Sequence, residues 1–278
     1  MSDAERSGCE DHLRDDARTN EELISAALLL SPDDDSYWDL VLTLHRRDTL
    51  ELLNQAVELC RSSDNAERRL GADILAQLGS PERNFPKQCL ATLLDMLKEE
   101  KNLDVLKAIL IALSHLGQPE AIEPASRFCT HPDPGVRHGV VLALMGHEDQ
   151  RAVECLIELS EDSDANNQDW ATFGLGTQID LDTPAIREAL LERVADEDFD
   201  TRCEAIVGLA RRRDRRVIPA IIQVLTSDVV GTLAVEAAAT IAASELRQYL
   251  VTLQSWCDID EDLLNEAIQA CTPSTDRQ

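Results

Sequence analysis

An acidic or amide residue recurs along this chain at a nearly constant interval. The eight positions are Asp33, Asp64, Asn102, Asp133, Asp164, Asp198, Asp228 and Asp258. Their separations, by subtraction, are 31, 38, 31, 31, 34, 30 and 30 residues. A period of this size indicates stacked supersecondary units, each too small to bury its own apolar face. We therefore expect a linear array of units that stabilise one another.

The residues after each marker predict two helices in every unit. Positions seven, eight, ten and eleven residues beyond the marker are mostly apolar or small, as in Ile109, Leu110, Ala112 and Leu113 or in Ala205, Ile206, Gly208 and Leu209. Offsets of three and four residues place these side chains on one helical face. A polar turn and a second apolar stripe follow, for example Ala152, Val153, Leu156 and Ile157. The pattern predicts an all-α fold, an α-solenoid of about seven antiparallel helix pairs, with each marker at a helix N-cap.

The same period sets the predicted organisation of the chain. Units start near residues 33, 64, 102, 133, 164, 198 and 228, and a capping helix starts near 258. Residues 21–272 are predicted to form a single solenoid, between a disordered acidic tail at 1–20 and a short polar tail at 273–278. In the unit that starts at Asp228 the pattern fits better after a shift of two residues, to Ala237, Ala238, Thr240 and Ile241.

These units resemble the HEAT-like repeats first described in phycobilisome lyases and found in many bacterial proteins. Residues 198–225 carry the resemblance best, and residues 133–159 nearly as well. In repeats of this family, the marker Asp and an Arg four residues later form a ladder of side chains that connects successive loops, and the resemblance implies the same here. The pairs that fit are Asp64 and Arg68, Asp133 and Arg137, and Asp198 and Arg202. Asn102 with Leu106, and Asp164 with Gln168, depart from this pattern.

The net charge of the chain is -27, from 53 acidic and 26 basic residues. Nucleic acids and anionic membranes bind proteins chiefly through Lys and Arg, so the charge argues against both as partners. It favours a basic protein partner, although an acidic surface also serves solubility alone. The sequence contains no signal peptide and no apolar run long enough to span a bilayer, which predicts a cytoplasmic protein, expected to be a monomer.

Polar columns along the predicted second helices are the candidate partner-binding residues. In HEAT arrays these helices resemble one another in lining the concave face, where partners usually dock. The columns contain Asn54, Glu58, Asp95, Glu123, Glu154 and Glu158, with Ala91 and Arg127 among them. They are mainly acidic, and spacings of four residues place them on one face. An ordinary solvated helix face is the alternative interpretation.

Other clusters favour structural roles. Arg211, Arg212, Arg213, Arg215 and Arg216 could grip a phosphate or carboxylate, but such a run is more typical of a solvated turn beside a helix C-terminus. His131, His138 and His147 lie near Cys129 and Cys155, without the spacing of a metal site. The cysteines inside predicted helices are expected to be reduced. We predict no metal site, no cofactor and no catalytic residues.

The sequence thus favours a non-enzymatic scaffold or adaptor that binds a basic protein on an acidic concave face. One alternative is a bacterial immunity or inhibitor protein that masks a basic toxin. Another is a bilin lyase-like or other enzyme-associated subunit, because the repeat is shared with lyases. Deoxyhypusine hydroxylase is a HEAT-like enzyme whose di-iron site resembles a set of four His-Glu pairs. This chain has one such pair, His147 and Glu148, which argues against that activity. DNA glycosylases of this fold need a basic, aromatic groove, which an acidic chain with 3% aromatic residues does not supply.

Overall fold

A computed structural model describes residues 16–256 and 258–273 of the chain. Within these residues the structure consists of α-helices and short 3₁₀ or π segments, without a β-strand. The predicted fold class, an all-α solenoid, is confirmed. The chain divides into two compact units, residues 1–143 and 144–278, and each is described by itself. Residues 1–15, 257 and 274–278 fall outside the description, so most of the predicted N-terminal tail and nearly all of the C-terminal tail do too.

The first unit contains helices α1 to α7 and most of α8. Their bounds are α1 Asn20–Ala27, α2 Asp35–His45, α3 Leu50–Cys60, α4 Asn65–Gln77, α5 Pro86–Glu99, α6 Leu103–Leu116, α7 Ile122–Ser126 and α8 Pro134–Leu144. Helices α2, α4, α6 and α8 follow markers and are the first helices of their repeats. Helices α3, α5 and α7 are the second helices. Helix α1 pairs with α2 but precedes the first marker, so it occupies a second-helix position without a first helix of its own.

The second unit contains eight further helices. Their bounds are α9 Gln150–Leu159, α10 Ala165–Phe173, α11 Pro184–Arg193, α12 Phe199–Arg211, α13 Ile218–Leu225, α14 Thr232–Ile241, α15 Arg247–Leu253 and α16 Glu261–Ala270. A π-helical turn, Gly174–Gln178, extends α10, and 3₁₀ turns precede α13 and α15. First helices α10, α12, α14 and α16 pack in sequence, each against the next.

The marker residues cap helices, as the sequence predicts. The carboxylate of Asp64 accepts hydrogen bonds from the amides of Ala66 and Glu67 at 2.8 and 3.2 Å. Asn102, Asp164 and Asp198 cap α6, α10 and α12 in the same way. A side-chain acceptor at this position satisfies amides that have no partner within the helix, which explains the periodic Asp and Asn.

The marker interpretation is wrong at three positions by one to three residues. Asp34, not Asp33, caps α2, and Asp260, not Asp258, caps α16. Gly231 occupies the N-cap of α14, three residues after Asp228, because the hydroxyl of Ser227 holds the intervening turn through contacts with two backbone carbonyls. The shifted register fits the structure, since Ala237, Ala238 and Ile241 are buried.

The apolar positions counted from the markers form the core. Ile74, Leu75, Ile109, Leu110, Leu113, Val140, Val141, Ala205, Ile206 and Leu209 are at most 1% exposed. Small residues permit close backbone contacts, as predicted. A Cβ atom on Gly208 of α12 would lie 2.6 Å from the Cα atom of Gly176, so only glycine fits there. This contact sets the distance between two successive repeats of the second unit.

The cysteines do not share one redox state. Cys60, Cys89, Cys203 and Cys271 are free, buried thiols, and burial raises the pKa of Cys60 to about 12. Cys129 and Cys155 are disulfide-bonded, so the prediction of reduced cysteines is wrong at these two positions. Positions along a chain do not determine which thiols the fold provides with a partner.

Candidate functional site

The six candidate partner-binding residues all lie on second helices and are exposed. Asn54 and Glu58 belong to α3, Asp95 to α5, and Glu123 to the start of α7, all in the first unit. Glu154 and Glu158 belong to α9 of the second unit. Glu58 lies two residues from the buried Ala56 and Cys60, and Asp95 two residues from the buried Leu93 and Leu97, which places both acids away from the buried face of their helices.

Each of the three acidic candidates in the first unit has a basic neighbour within four residues. The ion pairs are Glu58 with Arg61 at 3.2 Å, Asp95 with Lys98 at 2.7 Å and Glu123 with Arg127 at 2.7 Å. The acid side chains are 75%, 75% and 47% exposed. Exposed pairs of this kind contribute about 0.5 kcal/mol or less to stability. They leave the carboxylates accessible, but they reduce the local negative charge that the column of acids suggests.

A groove with stronger acidic character lies between α1 and α3. It has a volume of about 580 Å³, and its polar lining includes Glu21, Asn54, Gln55, Glu58 and Glu67. Ile24 and Leu59 form its apolar floor. The Oε1 atom of Gln55 is buried and has no hydrogen-bond partner among the described residues. The groove is therefore lined by three carboxylates and by Gln55, whose buried oxygen is unused by the described residues.

Sequence reasoning found Asn54 and Glu58 of this groove but missed Glu21 and Glu67. Glu21 lies on α1, which precedes the first marker and therefore does not belong to the polar columns counted from the markers. A continuation of the repeat backwards from Asp33 could have identified α1 as a second helix. Glu67 lies in the first turn of α4, where its position at a helix N-terminus gave no sign of a groove.

An inter-repeat ion pair lines a pocket of about 410 Å³ between the ends of α3 and α5. Arg68 Nε lies 2.7 Å from the Oε2 atom of Glu100, and the two side chains are 18% and 6% exposed. Burial alone raises the pKa of Glu100, but the hydrogen bonds from Arg68 and from the amides of Asn102 and Lys101 outweigh it, so the pKa lies below its usual value. This pair joins residues 32 positions apart, at the distance of one repeat.

The Arg residues of the predicted ladder contact backbone carbonyls in their own loops. Arg68 donates to the carbonyl of Ser62 at 3.1 Å, Arg137 to that of His131 at 2.7 Å, and Arg202 to that of Asp196. Each acceptor lies two residues before the marker. Links to the next loop run through other partners, namely Arg68 to Glu100 and Lys107 to Asp133, the latter at 3.4 Å. The carboxylates of Asp64 and Asp198 accept from amides of their own helices.

The arginine run of the second unit is used within that unit. Arg212 is 7% exposed and donates to the carbonyls of Leu175, Gly176, Ile179, Leu181 and Gly208. Arg211 pairs with Asp180 at 2.9 Å, and Arg215 with Glu245 at 2.6 Å. Arg216 pairs with Asp214 at 2.7 Å and with Glu188 at 2.6 Å. These contacts support the structural interpretation of the run over an anion site.

Within the described parts of the chain, no group of three or more His, Cys, Asp or Glu side chains is placed to hold a metal ion. The Nδ1 atom of His131 accepts from the amide of Asp133 at 3.1 Å and so belongs to the loop. No described helix is long and apolar enough to cross a membrane.

The comparisons with known proteins agree with this architecture. A family model for HEAT repeats matches residues 90–176 and 156–243, which together span more than half of the chain. The chain belongs to the HEAT-repeat family. Its repeats are similar to those of Protein YibA from Escherichia coli K12, which is 24% identical over 235 residues covering 81% of each chain.

Two solved structures show the same fold. The X-ray structure of E. coli YibA matches with a TM-score of 0.73 at 22% identity, over 92% of this chain and 97% of that one. The crystal structure of an engineered protein matches with a TM-score of 0.57 at 19% identity, over 90% of this chain and 77% of that one. At this level of identity the HEAT repeats establish the fold, and function has to be argued from the surface.

Proposed function

We propose that this HEAT-repeat protein is a non-enzymatic scaffold that binds a basic segment of a protein partner on the second-helix face of its first unit. The observation that carries the proposal is the groove between α1 and α3, where Glu21, Glu58 and Glu67 surround an apolar floor. A Lys or Arg side chain has an aliphatic stem for the floor and a charged end for the carboxylates. The net charge of -27 favours association with a basic partner over long distances.

The buried Oε1 atom of Gln55 adds an acceptor inside the groove. A buried acceptor without a partner is costly, so a donor supplied from outside the chain is favoured at this position. The guanidinium of Arg carries five donors and suits such a site better than the ammonium of Lys. The proposal therefore specifies an arginine-containing segment. A cytoplasmic location and a monomeric state belong to the same proposal.

A defined peptide tests the proposal without knowledge of the natural partner. We expect a nine-residue peptide with three arginines to bind more tightly than the same peptide with citrulline at those positions, since citrulline keeps the shape and removes the charge. Fluorescence anisotropy at 50 and 200 mM salt would report both affinities. Because exposed charges are screened, the arginine peptide should lose affinity at the higher salt.

Two triple variants with the same change in charge locate the binding site. The groove variant combines Glu21→Gln, Glu58→Gln and Glu67→Gln. The control combines Asp39→Asn, Glu51→Gln and Glu120→Gln, all at exposed positions outside the groove. We expect the groove variant to weaken binding of the arginine peptide at least tenfold and the control less than threefold. Equal losses in both variants would reduce the interaction to net charge and contradict the groove.

A further inference from the structure

A second concave site in the first unit has a different chemical character. It is a pocket of about 290 Å³ between the end of α1, the loop that follows it, and the first turns of α4 and α6. One wall is apolar and consists of Ala27, Leu28, Leu30 and Pro32. The other lining residues form what we call the polar wall: Tyr37, Asn65, Arg69, Asn102 and Asp104, with Ala66 beside them. No residue is shared with the groove between α1 and α3.

Arg69 is the unusual member of the polar wall. Its Nε atom is buried and has no hydrogen-bond partner among the described residues. It forms an ion pair with Oδ2 of Asp73 at 3.6 Å, a distance longer than a hydrogen bond. That oxygen already accepts from the phenol of Tyr37 at 2.6 Å. The guanidinium is therefore paired with Asp73 without a short hydrogen bond, and the donors of its exposed end stay available at the pocket.

The neighbouring Arg68 shows how different this is. Arg68 donates to the carbonyl of Ser62, to Asn65 and to both carboxylate oxygens of Glu100. The two consecutive arginines therefore differ in how they are paired. Among the described residues, Arg68 makes short hydrogen bonds, whereas Arg69 has a 3.6 Å ion pair with Asp73 and lies on the pocket wall.

Two asparagines add neutral donors beside Arg69. The Oδ1 atom of Asn102 accepts from the amides of Asp104 and Val105, both at 3.1 Å. The Oδ1 atom of Asn65 accepts from Arg68 at 2.6 Å. With the oxygens engaged, the amide nitrogens of both residues remain as donors on this wall. The single acid of the wall, Asp104, is exposed and lies 3.8 Å from Lys107, which offsets part of its charge.

We propose that this pocket binds a small aliphatic carboxylate. The carboxylate would accept from Arg69, Asn65 and Asn102, and the aliphatic chain would pack on Ala27, Leu28, Leu30 and Pro32. Charge-assisted hydrogen bonds from Arg to a carboxylate are among the strongest that a protein surface offers. A volume of 290 Å³ is at the lower end of the range for ligand pockets, which restricts the chain to a few carbons. The site is independent of the basic partner proposed above.

Titration with hexanoate and hexanamide tests the proposal, with amide chemical shifts of residues 27–31 and 65–69 as the readout. We expect hexanoate to bind at least tenfold more tightly than hexanamide, since only the acid engages Arg69 as an ion. Acetate should bind at least tenfold more weakly than hexanoate, because it lacks the apolar chain. The tripeptide Gly-Gly-Leu distinguishes two sources of the same chemistry. Tighter binding of the tripeptide assigns the carboxylate to a peptide C-terminus, and tighter binding of hexanoate assigns it to a free acid.

Two variants of the pocket locate the binding. Arg69→Gln removes the charge, and Ala66→Leu fills the pocket from an exposed position without altering Arg69 or Asp73. We expect each to weaken hexanoate binding at least tenfold. Arg61→Gln and Ala91→Leu are the matched controls, since both residues are exposed and lie outside the pocket. Equal affinity for hexanoate and hexanamide, or full binding by Ala66→Leu, would overturn the proposal. If Arg69→Gln does not fold, Ala66→Leu alone decides the test.

Discussion

The phenol of Tyr37 donates a 2.6 Å hydrogen bond to the Oδ2 atom of Asp73, joining α2 to α4 inside the first unit. Both residues are buried, with exposures of 3% and 6%. The backbone carbonyl of Asp73 lies 2.8 Å from Nε2 of His45, so a second side chain of α2 reaches the same residue. Burial raises the pKa of Asp73 to about 6 and lowers that of His45 to about 4. Two successive repeats are thus held together by polar contacts in an apolar interior.

The Tyr37→Phe variant should reduce the free energy of unfolding by about 2 kcal/mol. The change leaves the buried carboxyl of Asp73 without its donor, and an unsatisfied buried polar group costs about 1 to 3 kcal/mol. Urea denaturation at pH 7 measures the effect. Tyr249→Phe is the control, because the hydroxyl of Tyr249 makes no hydrogen bond within residues 16–256 and 258–273. A loss in the control equal to that in Tyr37→Phe would contradict the role assigned to Asp73.

Glu204→Gln should stabilise the protein above neutral pH. Burial, followed by the negative charges of Asp169, Asp200 and Glu236, raises the pKa of Glu204 to about 7. A raised carboxyl pKa contributes stability that is present below the unfolded value of 4.5 and is lost as pH rises through 7. Because the side chain is only half-buried, solvent screening reduces the gain to about 1 kcal/mol at pH 8.

Unfolding measured between pH 5 and pH 8 tests this pH dependence. Stability of the wild type relative to Glu204→Gln should fall across the interval. Glu192→Gln, at an exposed position on α11, should show no such change. A constant difference between wild type and Glu204→Gln across this interval would be inconsistent with the raised pKa.

Arg212→Met should reduce the stability of the second unit by about 3 kcal/mol. The variant removes the side-chain donor for four carbonyl oxygens in and just after the π-helical turn and for that of Gly208 in α12. Arg215→Met, in the same run but 63% exposed, should cost less than about 1 kcal/mol. Hydrogen exchange of the amides in α10 and α12 would locate the loss. Equal effects of the two substitutions would contradict the structural role of Arg212.

Asp64→Ala should cost about 1 kcal/mol, because it removes the acceptor for two amides at the start of α4. Asp228→Ala should cost less than about 0.5 kcal/mol, because Gly231 occupies the N-cap of α14. Thermal unfolding compares the two directly. The same side chain at the same step of the period would then differ in effect because only one of the two residues is a cap.

Charge reversal of Glu58, Asp95 and Glu158 to Lys should leave helicity and melting temperature nearly unchanged. All three residues are exposed, and the pairs of Glu58 and Asp95 with Arg61 and Lys98 contribute little to stability. Circular dichroism measures both quantities. The same variant should bind the arginine peptide more weakly than the wild type, and undiminished binding would argue against the acidic second-helix face.

Local physics allowed much of the fold to be predicted from the sequence. Asp64, Asn102 and Asp198 identify helix starts because a capping residue acts on amides only two or three positions away. Leu110 and Leu209 identify the core because helical periodicity alone places them on one face. At Asp228 the same reasoning was wrong, since the hydroxyl of Ser227 holds a longer turn whose geometry no periodic pattern records.

The candidate sites were less accessible to sequence reasoning. Asn54 and Glu58 follow from the column on α3, but Glu21 reaches the same groove from a helix that precedes the period. Arg68 and Arg69 look alike in the sequence, yet Arg68 makes short hydrogen bonds to Glu100, one repeat further along the chain, whereas Arg69 has a longer ion pair with Asp73. Such differences depend on contacts between residues about thirty positions apart.

Caps and helical periodicity are local properties, so the amino-acid sequence alone specifies an array of helix pairs, the start of most pairs and the side chains that enter the core. Contacts between stacked repeats determine which polar side chains find partners. Asp73 accepts a hydrogen bond from Tyr37, Arg212 donates to backbone carbonyls, and Arg69 lines a pocket, because stacked repeats bring distant residues together. A periodic sequence specifies the unit, and the packing of one unit against the next determines which of its surfaces remain available for binding.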